Sequence, residues 1–291
     1  MSVWRERIDL ALFSAFRRLP TPVVSGIGAA LGRLLAARRA PEAVARARAA
    51  VAHLRPELTE AERAAVVEAA AANMGRLLAE HARLGRLWQE GRIEISGEEH
   101  AAAAVLSGKP LIGITCHTGN WEAIASAAHA FRLPFAVVYR PPRSALERRL
   151  AAEARARTGL RLLPPGLGSA VEAVRILRER KEILGFFVDE SARGELMGPR
   201  LGRPQTRRGN MAIAIRLALR TGADILPVWS ERLPGPRFRV VVEPPLALVR
   251  DGGDEDALLA ANLPLLDAAL EAWIRPRLEQ WYGLFRVQGL G

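Results

Sequence analysis

The sequence predicts an α/β fold: a mixed, largely parallel sheet flanked by helices, preceded by an N-terminal helical layer. Two observations carry this. From Gly91 to about residue 245, short strand-like runs alternate with segments of helical period. Residues 1–90 show helical period almost throughout. A third observation concerns size. Of 291 residues, 49% are hydrophobic and only 5% aromatic, so a sizeable core can form and helix formers dominate it. The expected division is a helical layer over 1–90 and one α/β domain over 91–291, with no flexible linker between them.

In the first part, Pro20, Pro22, Pro41 and Pro56 punctuate the helices. "TEAE" at 59–62 pairs an N-cap threonine with a glutamate three places later, and the helix it opens is expected to run to about Trp88. Beyond Gly91, "RIEIS" alternates as a half-buried strand does. "EEHAAAAVLSG" reads as a helix closed by Gly108. "KPLIGITCH" is continuously apolar, as in a strand buried on both faces. "NWEAIASAAHAF" is a helix, "PFAVVYR" a strand, and "SALERRLAAEARARTG" a helix ending at Gly159. "LRLLP" and "EILGFFVDE" are strands on either side of the helix "GSAVEAVRILRERK". "RRGNMAIAIRLALRTG" is a helix closed by Gly222, "ADILPVWSER" and "FRVVVEPP" are strands, and 254–280 is a last helical region.

The net charge is +11, and lysine occurs only at Lys109 and Lys181. Such an excess favours anionic partners. The sequence has no zinc-finger spacing, RNA-binding aromatic signature or basic region leading into heptads, so nucleic acid is not the expected partner. Residues 1–40 hold seven arginines interleaved with apolar patches. The uncharged stretch from Leu19 to Gly32 is only 14 residues long and contains two prolines. This is too short for a spanning helix and suits a helix lying on an anionic membrane surface or, alternatively, a solvated helical hairpin packed on the domain. The lone Cys116 has no disulfide partner in the chain and fits a reducing compartment.

"TCHTGNWEA" at 115–123 falls where a strand hands over to a helix, the usual place for chemistry in such sheets. Gly119 tightens the turn and Asn120 is a reasonable N-cap. His117 can fold back over the first helical turn and give one ring nitrogen to Glu122. The other nitrogen can then take a proton from a hydroxyl. Exposed N–H groups at the helix start can stabilise negative charge. No second His/Cys cluster supports zinc, and His53, His81, His100 and His129 read as structural. Cys116 adjoins His117, but in a strand their side chains point to opposite faces.

These residues resemble the bacterial lipid A biosynthesis acyltransferases, the lauroyl/myristoyl transferase family within the wider glycerolipid and lysophospholipid acyltransferases. "CHTGNWE" is similar to the H-x4-E signature. "VVYRPP" at 137–142, "GFFVDE" at 185–190, the block from Leu201 to Arg232 and "RPRLEQWYGLF" at 275–285 follow in the family's order. The resemblance implies transfer of an acyl chain from a thioester, on acyl carrier protein or coenzyme A, to a hydroxyl of a lipid or glycolipid. It implies no cofactor beyond that co-substrate and no metal. His117 would be the base and Glu122 its partner, with Asn120 and the backbone around Gly119 as candidates for the oxyanion. Arg140 would bind phosphate or the oxyanion, and Asp189 would order Arg140 or the loop. Arg207 and Arg208, at a helix start, would bind phosphate. The implied location is the cytoplasmic face of the bacterial inner membrane, peripheral or monotopic. Glu190 departs from the family's usual glutamine, and "MGPRLG" at 197–202 replaces a more apolar loop. Other glycolipid or lysophospholipid acceptors therefore stay open, as do a thioesterase and a non-catalytic membrane-binding protein of the same fold.

Overall fold

The computed structural model describes residues 11–138, 159–164, 166–192 and 195–290. After a helical segment over residues 11–16, three helices follow: α1 (Thr21–Arg39), α2 (Pro41–Leu54) and α3 (Glu60–Glu80). Thr59 and Glu62 close the expected capping box at the start of α3. Helices α1 and α3 cross with their backbones almost touching. A Cβ placed on Gly75 would fall 2.0 Å from the Gly28 carbonyl oxygen. This packing leaves Val23, Ile27, Leu31, Leu34 and Leu35 exposed on α1. Helix α3 stops at Glu80, short of the expected Trp88, and a 3-10 turn (His81–Arg83) follows. Tertiary polar bonds override the helical pattern there: Glu80 and Arg83 are buried, and Arg83 donates to the Arg17 carbonyl, to Thr21 and to Glu90.

The sheet contains β1 (Ile93–Ser96), β2 (Leu111–Thr115), β3 (Phe135–Val138), β4 (Arg161–Leu163), β5 (Ile183–Phe187), β8 (Asp224–Leu233) and β9 (Arg237–Val242). Their spatial order is β1-β9-β8-β2-β5-β3-β4. All neighbours are parallel except β8 and β9. A two-stranded hairpin, β6 (Ser191–Ala192) with β7 (Glu195–Leu196), lies outside this sheet. Strands of two residues carry no readable period, so the sequence does not announce it. The helix expected over 144–159 lies outside the described residues apart from its closing Gly159, whose φ is +66°.

Strand β2 is central and buried along its whole length, as its apolar run requires. Ile112, Ile114 and Cys116 belong to the large core. That core is shared with helices α7 (Gly209–Thr221) and α8 (Glu255–Ile274), and with Ala47, Val51, Leu54 and Val67 of the N-terminal helices. On the other side of β2, Leu111, Gly113 and Thr115 face helices α4 (Glu98–Leu106) and α5 (Glu122–Ala130) across a cavity. Helix α6 (Leu167–Glu179) precedes β5. Helix α8 is long and apolar enough to cross a membrane by length and composition, but Leu259, Leu263, Leu266, Leu270 and Ile274 place it in the core.

Candidate active site

His117 lies just beyond the C-terminal end of β2, and Asp189 just beyond that of β5. The two strands pair in parallel with Thr115 opposite Phe187, so residues two further on come level. Asp189 Oδ1 accepts a hydrogen bond from His117 Nδ1 at 2.7 Å, and Oδ2 accepts one from the His117 backbone N–H at 2.9 Å. Trp281 Nε1 donates to Oδ2 as well, at 3.0 Å. Burial pushes the Asp189 carboxyl up, but the charge of His117 and these hydrogen bonds outweigh it, and the net direction is down. An ionised carboxylate only accepts, so Nδ1 carries a proton, and in the neutral imidazole it is Nε2 that keeps the lone pair. The imidazole stacks on Phe187 with centroids 4.2 Å apart, and Trp121 meets it edge-on at 4.8 Å.

The carboxylate on His117 Nδ1 is therefore Asp189 and not Glu122, which the H-x4-E spacing suggested. Glu122 begins α5 and lines the same cavity as His117, and its side-chain neighbour is His81 Nε2 at 3.9 Å. His81, expected to be purely structural, thus reaches the periphery of the site. Asp189 holds the histidine itself; the expected link to Arg140 lies outside the described residues.

The turn after His117 is fastened from several sides. Gly119 has φ +58°, and a Cβ there would fall 2.6 Å from the Ser230 carbonyl oxygen. Its N–H donates to the Gln280 carbonyl at 3.0 Å, so it is not available to an oxyanion. Asn120 is fully buried and neither caps α5 nor faces the cavity. Its side-chain amide donates to Glu80 Oε2 at 3.1 Å. Glu80, also fully buried, takes both Arg232 terminal nitrogens at 2.7 and 2.8 Å, and Ser25 Oγ at 2.7 Å. The described contacts of Gly119 and Asn120, expected to meet substrate, anchor the turn to α1, α3 and β8.

The cavity has a volume of about 1010 Å³. At one end stand His117, Glu122, Asp189, Glu190, Asn210 and Arg286; along the rest, Ile95, Val105, Leu111, Val137, Leu226 and Val240 make an apolar wall. Glu190 Oε1 accepts from the backbone N–H of Asn210 at 2.6 Å, while Oε2 is buried without a partner. Burial, chiefly, raises its pKa to about 7. Arg207 and Arg208 are exposed just before α7, whose Asn210 lines the cavity. They make no ion pair with another described residue. Cys116 is fully buried on the core side of β2, and burial raises its thiol pKa well above the ordinary value, so it is no nucleophile.

Sequence reasoning passed over Phe187, Trp121, Trp281 and Tyr282, which surround the His117–Asp189 pair. The signal available was the shared strand-end position of "TCH" and "VDE". It becomes decisive only once β2 and β5 are known to be neighbours. Compared with known proteins, the chain matches a model of the bacterial lipid A biosynthesis acyltransferases over residues 2–287. No curated protein matches it.

Proposed function

The chain belongs to the bacterial lipid A biosynthesis acyltransferase family and is an O-acyltransferase, and from that premise we propose how its residues perform the transfer. The acyl chain of a thioester, carried on acyl carrier protein or coenzyme A, lies in the apolar cavity with its carbonyl beside His117. A hydroxyl of a lipid A-type glycolipid enters at the polar end. His117 Nε2 takes the hydroxyl proton as the oxygen attacks the carbonyl carbon. As the tetrahedral intermediate collapses, the carbon–sulfur bond breaks and the imidazolium returns the proton to the departing thiolate. Asp189 fixes the tautomer and stabilises the transient imidazolium. No cofactor or metal enters this scheme.

The observation that carries this reading is the 2.7 Å contact of His117 Nδ1 with buried Asp189 at the head of an apolar cavity. Trp121 and Glu122 also line that cavity, so the start of α5 opens onto it and supplies positive dipole for the oxyanion. Glu122 stands on the cavity wall as a second carboxylate favouring positive charge on the imidazole. Arg207 and Arg208 offer charge for phosphate on the acceptor or carrier. The exposed row on α1, followed by Arg38 and Arg39, suits docking on an anionic membrane surface at the cytoplasmic face of the inner membrane.

The test is acyl transfer by purified protein, followed by mass spectrometry of the lipid acceptor and of released fatty acid. One acyl chain added to the glycolipid by wild type, and none by His117→Ala, supports the reading. Free fatty acid released equally with and without acceptor would mean that water is the acceptor. Equal transfer by His117→Ala would remove the histidine from the chemistry.

A further inference from the structure

On β2 and β5, Gly113 lies directly opposite Gly185, and both line the cavity. The two positions differ in what stands over them. A Cβ on Gly185 would fall 2.5 Å from Phe135 Cζ and 3.0 Å from Val137 Cγ2, so its missing side chain is filled by the Phe135 ring. A Cβ on Gly113 would meet Ile183 Cγ2 and Phe135 Cε2 only at 3.5 Å, an ordinary contact. Ile183 and Phe135 themselves line the cavity. A side chain at 113 would thus extend into the lumen between these two residues without displacing them. The backbone asks nothing of glycine here, since Gly113 is not among the positive-φ glycines. What glycine supplies at 113 is open space within the channel.

We propose that Gly113 determines the acyl-chain length the enzyme accepts, by leaving open the part of the channel that the distal methylenes occupy. This rests on reading the cavity as the acyl channel. Gly113 precedes His117 by four residues, a run of roughly 13 Å at about 3.3 Å per strand residue. A chain whose carbonyl sits at His117 reaches Gly113 after roughly ten carbons, taking about 1.3 Å of advance per methylene from ordinary carbon–carbon geometry. Chains of dodecanoyl length or longer pass over Gly113, decanoyl chains end at about its level, and octanoyl chains end before it. Chain preference is then a matter of one missing methyl group. A closed apolar pocket discriminates by about 10–200-fold per methylene.

The experiment measures kcat/KM for acyl thioesters from octanoyl to stearoyl, on acyl carrier protein and on coenzyme A, with lipid acceptor, for wild type, Gly113→Ala, Gly113→Val and Phe135→Ala. Wild type is expected to prefer a chain of dodecanoyl length or longer. Gly113→Ala shifts the ratio of kcat/KM between shorter and longer chains at least about tenfold towards the shorter, and Gly113→Val shifts it further. Phe135→Ala enlarges the same region and shifts the ratio the other way. A uniform loss at every length in both Gly113 variants, with the ratio fixed, would make the position structural and overturn the proposal, while the acyltransferase reading stands. Wild type that turns over no thioester of any length sinks both. Gly113→Ala keeps the test decisive if the valine variant fails to fold.

Discussion

Asp189 grips His117 twice, once at the ring and once at the backbone, across 72 positions of sequence. One oxygen sets the imidazole tautomer and the other sets where the turn carries it. Asp189→Asn keeps the shape but puts an amide where an acceptor is needed. With the Nδ1 proton no longer fixed, the tautomer with a free Nε2 lone pair is depopulated. The expected result is a fall in kcat of roughly 10²–10⁴-fold with KM for the thioester little changed. Steady-state kinetics of the variant checks it. A kcat within a few-fold of wild type would show that the Asp189 contact is architectural.

Glu80 and Arg232 form a buried ion pair whose carboxylate also holds Ser25 and Asn120. Removing one partner leaves a buried charge uncompensated. Glu80→Met or Arg232→Met is each expected to cost about 3–5 kcal/mol in urea unfolding. The double variant Glu80→Met/Arg232→Met is expected to cost less than the sum of the two singles, because it removes both charges together. Additive costs would mean that the pair is not coupled.

Gly119 and Gly222 both adopt left-handed backbone, with φ +58° and +72°. Around Gly222 nothing lies within 4 Å of a built Cβ, whereas at Gly119 the Ser230 carbonyl is 2.6 Å away. Gly222→Ala is expected to cost only the conformational strain, about 1–2 kcal/mol. Gly119→Ala must also push the turn off β8, displacing His117, and is expected to lose both stability and transfer activity. Similar thermal shifts and similar activity for the two variants would contradict this.

The chain's periodicity made most of the fold legible. The buried strand at 111–115, the capping box at Thr59 and the glycine closing α7 all stand where the pattern put them. The site was legible in part. His117 announced itself by its place at a strand end, but its partner did not. H-x4-E is a spacing within one segment, while the Asp189 contact arises from β2 and β5 being neighbours, and strand order is not a local property. Asn120 misled for a similar reason. An asparagine before a helix reads as a cap, yet a buried carboxylate from α3 claims its amide. His81 and Glu80 were hidden because the helix pattern runs past them.

The exposed row on α1 carries the membrane prediction. Ile27, Leu31 and Leu34 sit on the outward side of a helix held to α3 by glycine contacts. Replacing all three by serine removes apolar area that each residue contributes at about 1.5–3 kcal/mol when fully buried. Because insertion at an interface is partial, at least about a tenfold loss of binding to anionic vesicles is expected. Co-sedimentation with and without added salt measures it. Unchanged binding would move the docking face elsewhere on the protein.

Glu190 gives the pH prediction. Burial raises its pKa from 4.5 to about 7, the charge of Asp189 adds to the rise, and the Asn210 N–H and His117 oppose it. Between these two values the folded protein binds a proton that the unfolded chain has released. Stability of wild type therefore falls as pH rises through this window and levels off above about 7, where the carboxylate is charged in both states. A rise from 4.5 to about 7 corresponds to roughly 3 kcal/mol. Glu190→Gln keeps an oxygen for the Asn210 N–H and removes the titration. Its stability relative to wild type is expected to improve by up to that amount between about pH 5 and pH 8, whatever the fixed cost of the new amide. Urea unfolding of both proteins at the two pH values measures the difference. If the gap between them does not change with pH, Glu190 does not titrate in this window. Its buried Oε2 would then need a hydrogen-bond partner that keeps the carboxylate charged throughout.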